Sequence, residues 1–128
     1  MPRIHRYICK HCGFILHNGL ENCFYIINDE SKVILAPHPG EISIVKRELG
    51  CSMFDLPKHK TYQGRFGWKH FVICTDCLNK FELDLEKENR ICKKCESLSI
   101  YTCQEMVNKL CPKCGQSKIK EIDTGLMS

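Results

Sequence analysis

The 128-residue chain has no long apolar run. Its longest stretches, such as Phe71-Val72-Ile73-Cys74, fall far below the roughly 20 residues that cross a bilayer as a helix. No membrane association is therefore expected. The N-terminus lacks the apolar core of a secretory leader, because Arg3, His5 and Arg6 interrupt it. A cytoplasmic location is expected, where thiols stay reduced. Several short motifs of common chemistries are also missing. There is no H-E-x-x-H, no H-x-E with P-C-x-x-C, no Walker loop and no G-x-S-x-G. Binding rather than catalysis is the expectation.

Cysteine, by contrast, is abundant, with eleven residues. Eight fall in four pairs of identical spacing: Cys9/Cys12, Cys74/Cys77, Cys92/Cys95 and Cys111/Cys114. An odd total with no export signal argues against a disulfide scaffold. Each pair sits in the same frame. Ile8, Ile73, Ile91 and Leu110 precede the first cysteine, and Gly13 and Gly115 follow the first and last pairs. The frame reads as strand, C-x-x-C, strand. This spacing brings both sulfurs to one side of a tight turn, and a following glycine permits a positive φ. Two such knuckles supply four thiolates in the tetrahedron that zinc prefers, at about 2.3 Å. Thioredoxin-like redox pairs would each open a helix after a strand. Gly13-Phe14-Ile15-Leu16 and Gly115-Gln116-Ser117-Lys118 read instead as turns entering strands.

Residues 111–122, CPKCGQSKIKEI, resemble the second half of a zinc ribbon, with CKKC at 92–95 as the first half. The stretch 92–125 is also similar to the zinc domain of the accessory proteins that load nickel into hydrogenase. That family opens with Met-His-Glu, where this chain has Met-Pro-Arg. YICKHCG and LCPKCG resemble the two knuckles of rubredoxins, which would imply iron and electron transfer. Residues 20–70 carry no such resemblance.

Four half-sites allow three pairings. The sequential one joins Cys9/Cys12 to Cys74/Cys77 and Cys92/Cys95 to Cys111/Cys114. It is favoured because neighbours in sequence are usually neighbours in space. In the nested pairing the inner knuckles, fourteen residues apart, close a ribbon and the outer knuckles bind together. On the sequential pairing the expected fold is small, metal-stabilised and mainly β. It comprises zinc ribbon 1 over residues 1–86, with a long insertion, and zinc ribbon 2 over 87–128. The run Glu86-Lys87-Glu88-Asn89 marks the boundary.

Within the insertion, Phe24-Tyr25-Ile26-Ile27 and Lys32-Val33-Ile34-Leu35 bracket polar Asn28-Asp29-Glu30-Ser31, a β-hairpin pattern. Glu41 to Leu49 reads as a helix, with Ile42, Val45 and Leu49 on one face and Gly50 as its cap. Residues 51–67 read as a loop, Lys69 to Ile73 as a strand. Phe81, Leu83 and Leu85 alternate with Glu82, Asp84 and Glu86 as a half-exposed strand. Tyr101 to Leu110 reads as a strand or a helical turn.

The formal charge of +4 treats every cysteine as neutral. Four thiolates around one divalent cation carry a net −2, so two centres cancel the surplus. A local argument for nucleic acid remains. Residues 56–75 hold Lys58, Lys60, Arg65 and Lys69 interleaved with Tyr62, Phe66 and Trp68, and no acid. Basic charge with aromatic platforms suits single strands. Alternatively, the aromatics are core residues and the lysines a solvated face.

Cys23, Cys51 and Cys103 have no partner legible in the sequence and are expected to pack inertly. His5, His11 and His17 surround the first knuckle, but four thiolates already complete a shell. Two such shells leave no open position for catalysis. The expected function is a non-catalytic adaptor holding two zinc ions and presenting a rigid surface to a protein partner. The acidic run Glu82, Asp84, Glu86, Glu88 would suit a basic one. Nucleic-acid binding through Lys58, Lys60, Tyr62, Arg65, Trp68 and Lys69 is the alternative, followed by metal transfer or iron electron transfer.

Overall fold

A computed structural model of the chain describes residues 3–20 and 22–127. The Met-Pro start that departs from the nickel-loading family lies outside the described residues. In chain order the elements are β1 (Arg3–Ile8), β2 (Ile15–Gly19), β3 (Asn22–Ile27), β4 (Val33–Ala36), α1 (Glu41–Leu49), β5 (Phe66–Cys74), β6 (Lys80–Leu83), β7 (Ile100–Thr102), α2 (Cys103–Met106) and β8 (Lys120–Met127). The chain is mainly β, as expected. It divides into two compact units, Asn22–Lys69 and Met1–Glu21 with His70–Ser128.

The smaller unit is the insertion. β3 and β4 form the predicted hairpin, with Phe24 opposite Ala36 and Ile26 opposite Ile34. Its turn is held by Asn28, whose side-chain oxygen accepts from the amides of Glu30 and Lys32 at 2.9 and 3.0 Å. The helix α1 runs over the predicted residues and ends at Gly50 with φ 72°, its amide donating to the Lys46 carbonyl. Val45 and Leu49 are buried as expected, but Ile42 is 50 % exposed and Ile44 packs in its place. The segment expected to be a loop holds two 3-10 turns, Met53–Lys58 and Lys60–Tyr62. These fold Leu56 onto a core of Phe24, Ile26, Ala36, Val45 and Leu49.

In the larger unit β1 lies between β2 and β8, antiparallel to both. The later part of β5 pairs with β6 (His70 opposite Leu83) and with β7 (Ile73 opposite Tyr101). Both readings of residues 101–110 hold in part: β7 ends at Thr102, which caps α2. Its hydroxyl accepts from the Glu105 amide at 3.2 Å while the Glu105 carboxylate accepts from the Thr102 amide at 2.9 Å, a capping box. One core gathers Tyr7, Leu16, Ile73, Met106 and Ile119; another gathers Val72, Leu83 and Ile100.

The run expected to be a boundary is a tight turn inside this unit. Asp84, expected on the exposed face, is 3 % exposed. Its carboxylate accepts from the Glu86 amide at 3.0 Å, and its own amide donates to the Glu88 carboxylate at 2.7 Å. Buried carboxylates need such partners. Two of the four acids offered to a basic partner are thus spent on a turn.

Candidate metal centres

All four knuckles share one backbone device. The residue after the second cysteine donates its amide to the carbonyl of the first: Gly13 to Cys9, Leu78 to Cys74, Glu96 to Cys92 and Gly115 to Cys111, at 2.8 to 3.0 Å. That residue has a positive φ in every case: 78°, 64°, 64° and 66° in the same order. Glycine takes this conformation freely, which made the first and last knuckles stand out. Leu78 and Glu96 take it at a cost, and nothing in their identity announces it. The amide of each first cysteine returns to a carbonyl beyond the turn, as in Cys92 to Ser97 at 2.8 Å.

The knuckles close in nested order. Cys9, Cys12, Cys111 and Cys114 form one set; Cys74, Cys77, Cys92 and Cys95 form the other. The sequential pairing is therefore corrected, and with it the division into ribbons 1–86 and 87–128. The physical reason is the sheet: β1 and β8 lie side by side, so the knuckles that follow β1 and precede β8 meet. β6 and β7 both flank β5, which brings the knuckle between β5 and β6 up to the one between β6 and β7.

Within each set the four sulfurs lie within 4.8 Å of one another. The Sγ atoms of Cys9 and Cys114 are 3.6 Å apart and those of Cys12 and Cys111 3.7 Å. In the inner set the corresponding separations are 3.6 Å (Cys74 to Cys95) and 3.5 Å (Cys77 to Cys92). Sulfurs at about 2.3 Å from a common tetrahedral centre would lie about 3.8 Å apart. A disulfide would hold them at about 2.05 Å. The spacing thus fits a shared cation and not a cross-link. The first cysteine of each knuckle is buried, whereas Cys12 and Cys95 are exposed and Cys77 and Cys114 half-buried. Amides of Lys94 and Cys95 point at the Cys92 sulfur at 3.4 Å, and that of Gln116 at the Cys114 sulfur at 3.5 Å.

The thiols oppose one another. The Cys12 amide outweighs burial and pulls the Cys9 thiol down to about 7. Against burial, the amides of Cys95 and Lys94 bring Cys92 down to about 6. For Cys12, the lowering by the Phe14 amide is overcome by burial and the sulfur of Cys114, which push it up to about 11. For Cys95, the lowering by the Ser97 amide is overcome by burial and the sulfur of Cys77, which push it up to about 12. Each set readily carries some negative charge but not four, unless a cation shares the site. A metal ion would supply that compensation and fix four ligands at once; soft thiolates with tetrahedral spacing suit zinc or iron.

No histidine belongs to either set. His5 Nδ1 lies 2.8 Å from a Glu121 carboxylate oxygen, and His11 is exposed. His17 stacks on Phe71 with ring centroids 4.3 Å apart, and burial lowers its pKa. Cys23 and Cys103 are buried and Cys51 half-buried.

The basic-aromatic residues divide. The Tyr62 hydroxyl donates to the Leu49 carbonyl at 3.1 Å, and Arg65 donates to the Ile27 carbonyl and to Asp29, both at 3.0 Å. These two are structural. Lys69 lies over the Tyr25 ring, 5.1 Å from its centroid. Lys58 and Lys60 are exposed, and Trp68 is 42 % exposed, its ring in a T-shaped contact with Phe24. No helix among the described residues is long and apolar enough to cross a membrane. Comparison of the chain with protein-family models, curated proteins and solved structures gives no match.

Proposed function

We propose that the protein is a non-catalytic, zinc-ribbon-like module of the cytoplasm that holds two zinc ions and presents a rigid surface to a protein partner. The observation that carries this reading is the completeness of both sets: four cysteines converge on each centre. A catalytic zinc keeps one position for water or substrate, and four thiolates fill every position. Such centres act by folding the chain around them. Elemental analysis of the purified full chain tests the reading. Two zinc ions per chain in a colourless protein are expected. A red protein with a thiolate-to-iron band would replace it with electron transfer, and ready loss of zinc to an apo-acceptor would replace it with metal transfer.

A second reading, nucleic-acid binding through Lys58, Lys60, Trp68 and Lys69, is favoured by charge. Asn22–Lys69 holds seven Lys/Arg against five Asp/Glu and none of the paired cysteines. The larger unit has the same formal surplus, twelve against ten, but two filled centres would turn it negative. Tyr62 and Arg65, tied into the fold, weaken this reading. Retention on single-stranded DNA that falls steeply with salt and vanishes in Lys58→Glu/Lys60→Glu would establish it over the protein-partner reading.

A further inference from the structure

In the larger unit β2 and β6 each end a sheet, so among the described residues each has one edge with no strand beside it. A groove of about 390 Å³ runs between them. Ile15 and His17 of β2 line one side, Lys80, Phe81 and Glu82 of β6 the other, and Phe71 of β5 takes part as well. Ile15 is 37 % exposed. Burial keeps the His17 ring neutral at pH 7 by lowering its pKa, so Lys80 and Glu82 are the charged lining residues.

Two lysines bridge onto these edges. Lys80 Nζ donates to the Ile15 carbonyl at 3.1 Å, and Lys93 Nζ donates to the Glu82 carbonyl at 3.3 Å. Lys80 and Lys113 both lie over the Phe14 ring, at 5.5 and 5.8 Å from its centroid, and Lys93 lies over Phe81 at 5.8 Å. The ammonium groups of Lys80 and Lys93 therefore border a groove whose lining carries one carboxylate, and Lys113 lies over the neighbouring Phe14. Lysines at strand edges are a common guard against unwanted pairing. These particular lysines are bonded to neutral carbonyls, which are weaker partners than a carboxylate.

We propose that this groove receives an extended, acidic peptide segment of a protein partner. The inference rests on the protein-binding reading above and names its surface. The incoming backbone amides would replace the lysines at the Ile15 and Glu82 carbonyls. The freed ammonium groups would then meet the peptide's carboxylates, while an apolar side chain covers Ile15 and Phe71. Strand addition of this kind takes affinity from backbone hydrogen bonds and specificity from alternate side chains. A single-stranded nucleic acid fits less well. It needs open aromatic faces. Here one face of Phe71 is stacked by His17, Phe14 is approached by two lysines and Phe81 by one.

The test uses the metal-loaded full chain and labelled ten-residue peptides in which valine alternates with glutamate, glutamine or lysine, read by fluorescence anisotropy. The glutamate peptide is expected to bind at least about tenfold tighter than the other two, and Lys80→Glu to weaken it about tenfold. Lys93→Glu and Lys113→Glu are expected to cost less. Amide NMR shifts should concentrate at Ile15–Asn18 and Lys80–Glu82. Lys80→Gln serves if the charge reversal disturbs folding. Equal binding of the three peptides, indifference to both Lys80 variants, or an oligothymidine bound with the same Lys80 dependence would each overturn the proposal. Zinc content and melting of the same preparations separate the two levels. A folded two-zinc chain that ignores the peptides defeats the groove alone; a chain without zinc defeats the broader reading.

Discussion

The two four-cysteine centres use the same knuckle and differ in everything that closes it. In the inner centre fourteen residues separate Cys77 from Cys92; in the outer, ninety-eight separate Cys12 from Cys111. Closing the longer loop costs about 1.7 kcal/mol more in chain entropy. The outer centre offsets this by sitting against strands that are already paired. Cys9 and Cys111 are buried in one cluster with Tyr7, Met106 and Ile119. That cluster also contains Ile73, within β5, and Cys103, directly after β7, and these are the strands around the inner centre. The inner centre is thus locally closed, and the outer depends on what the inner has organised. The second difference lies in the turn residue. The outer knuckles use Gly13 and Gly115 at positive φ, the inner ones Leu78 and Glu96. The centre with the easier closure bears the strained backbone.

The largest effect tests what the centres share. Apparent zinc-binding energies for structural sites are about 10 kcal/mol or more, comparable with the whole stability of a small domain. Stripping metal with a strong chelator should abolish the cooperative melt and the near-ultraviolet circular dichroism. A metal-free chain that melts as before would refute the metal reading for both centres.

Next in size is the asymmetry between them. Cys111→Ser should leave about one zinc per chain, because the inner centre closes by itself. Cys92→Ser should leave well below one, because the outer centre loses its packed support. Elemental analysis decides; equal retention in the two variants would break the proposed dependence. Both variants remove one of four ligands, so the difference isolates topology.

Smaller effects probe the turn. Gly13→Ala and Gly115→Ala should each cost about 1 kcal/mol, since a Cβ there meets no atom within 4 Å and only the backbone conformation is penalised. The reverse changes, Leu78→Gly and Glu96→Gly, remove a Cβ from the same conformation. Each should gain up to about 1 kcal/mol less the lost side-chain contacts, with Glu96→Gly the cleaner gain because Glu96 is exposed and Leu78 half-buried. Chelator competition on each variant measures these. If both substitutions in the inner knuckles weaken metal binding, the strain argument is wrong.

Much of this molecule was legible in its sequence wherever the signal was local. The hairpin over residues 22–36 and the helix over 41–49 follow from side-chain periodicity and from Gly50. The burial of Asp84 was not legible. Alternation with Phe81 and Leu83 put it on the exposed face, but the strand ends at Leu83 and the chain turns. Nor were the 3-10 turns over 53–62, where Pro57 and several polar residues read simply as loop.

The sequence by itself determined which eight sulfurs are gathered into the two sets placed to bind metal, because C-x-x-C spacing shapes its own turn and needs no distant partner. Only the tertiary structure decided how they are shared. That choice depends on which strands lie side by side, and β1 next to β8 is a contact across almost the whole chain. A local turn has no means of encoding which distant turn will face it; the burial of Tyr7, Ile73 and Ile119 in one core settles that.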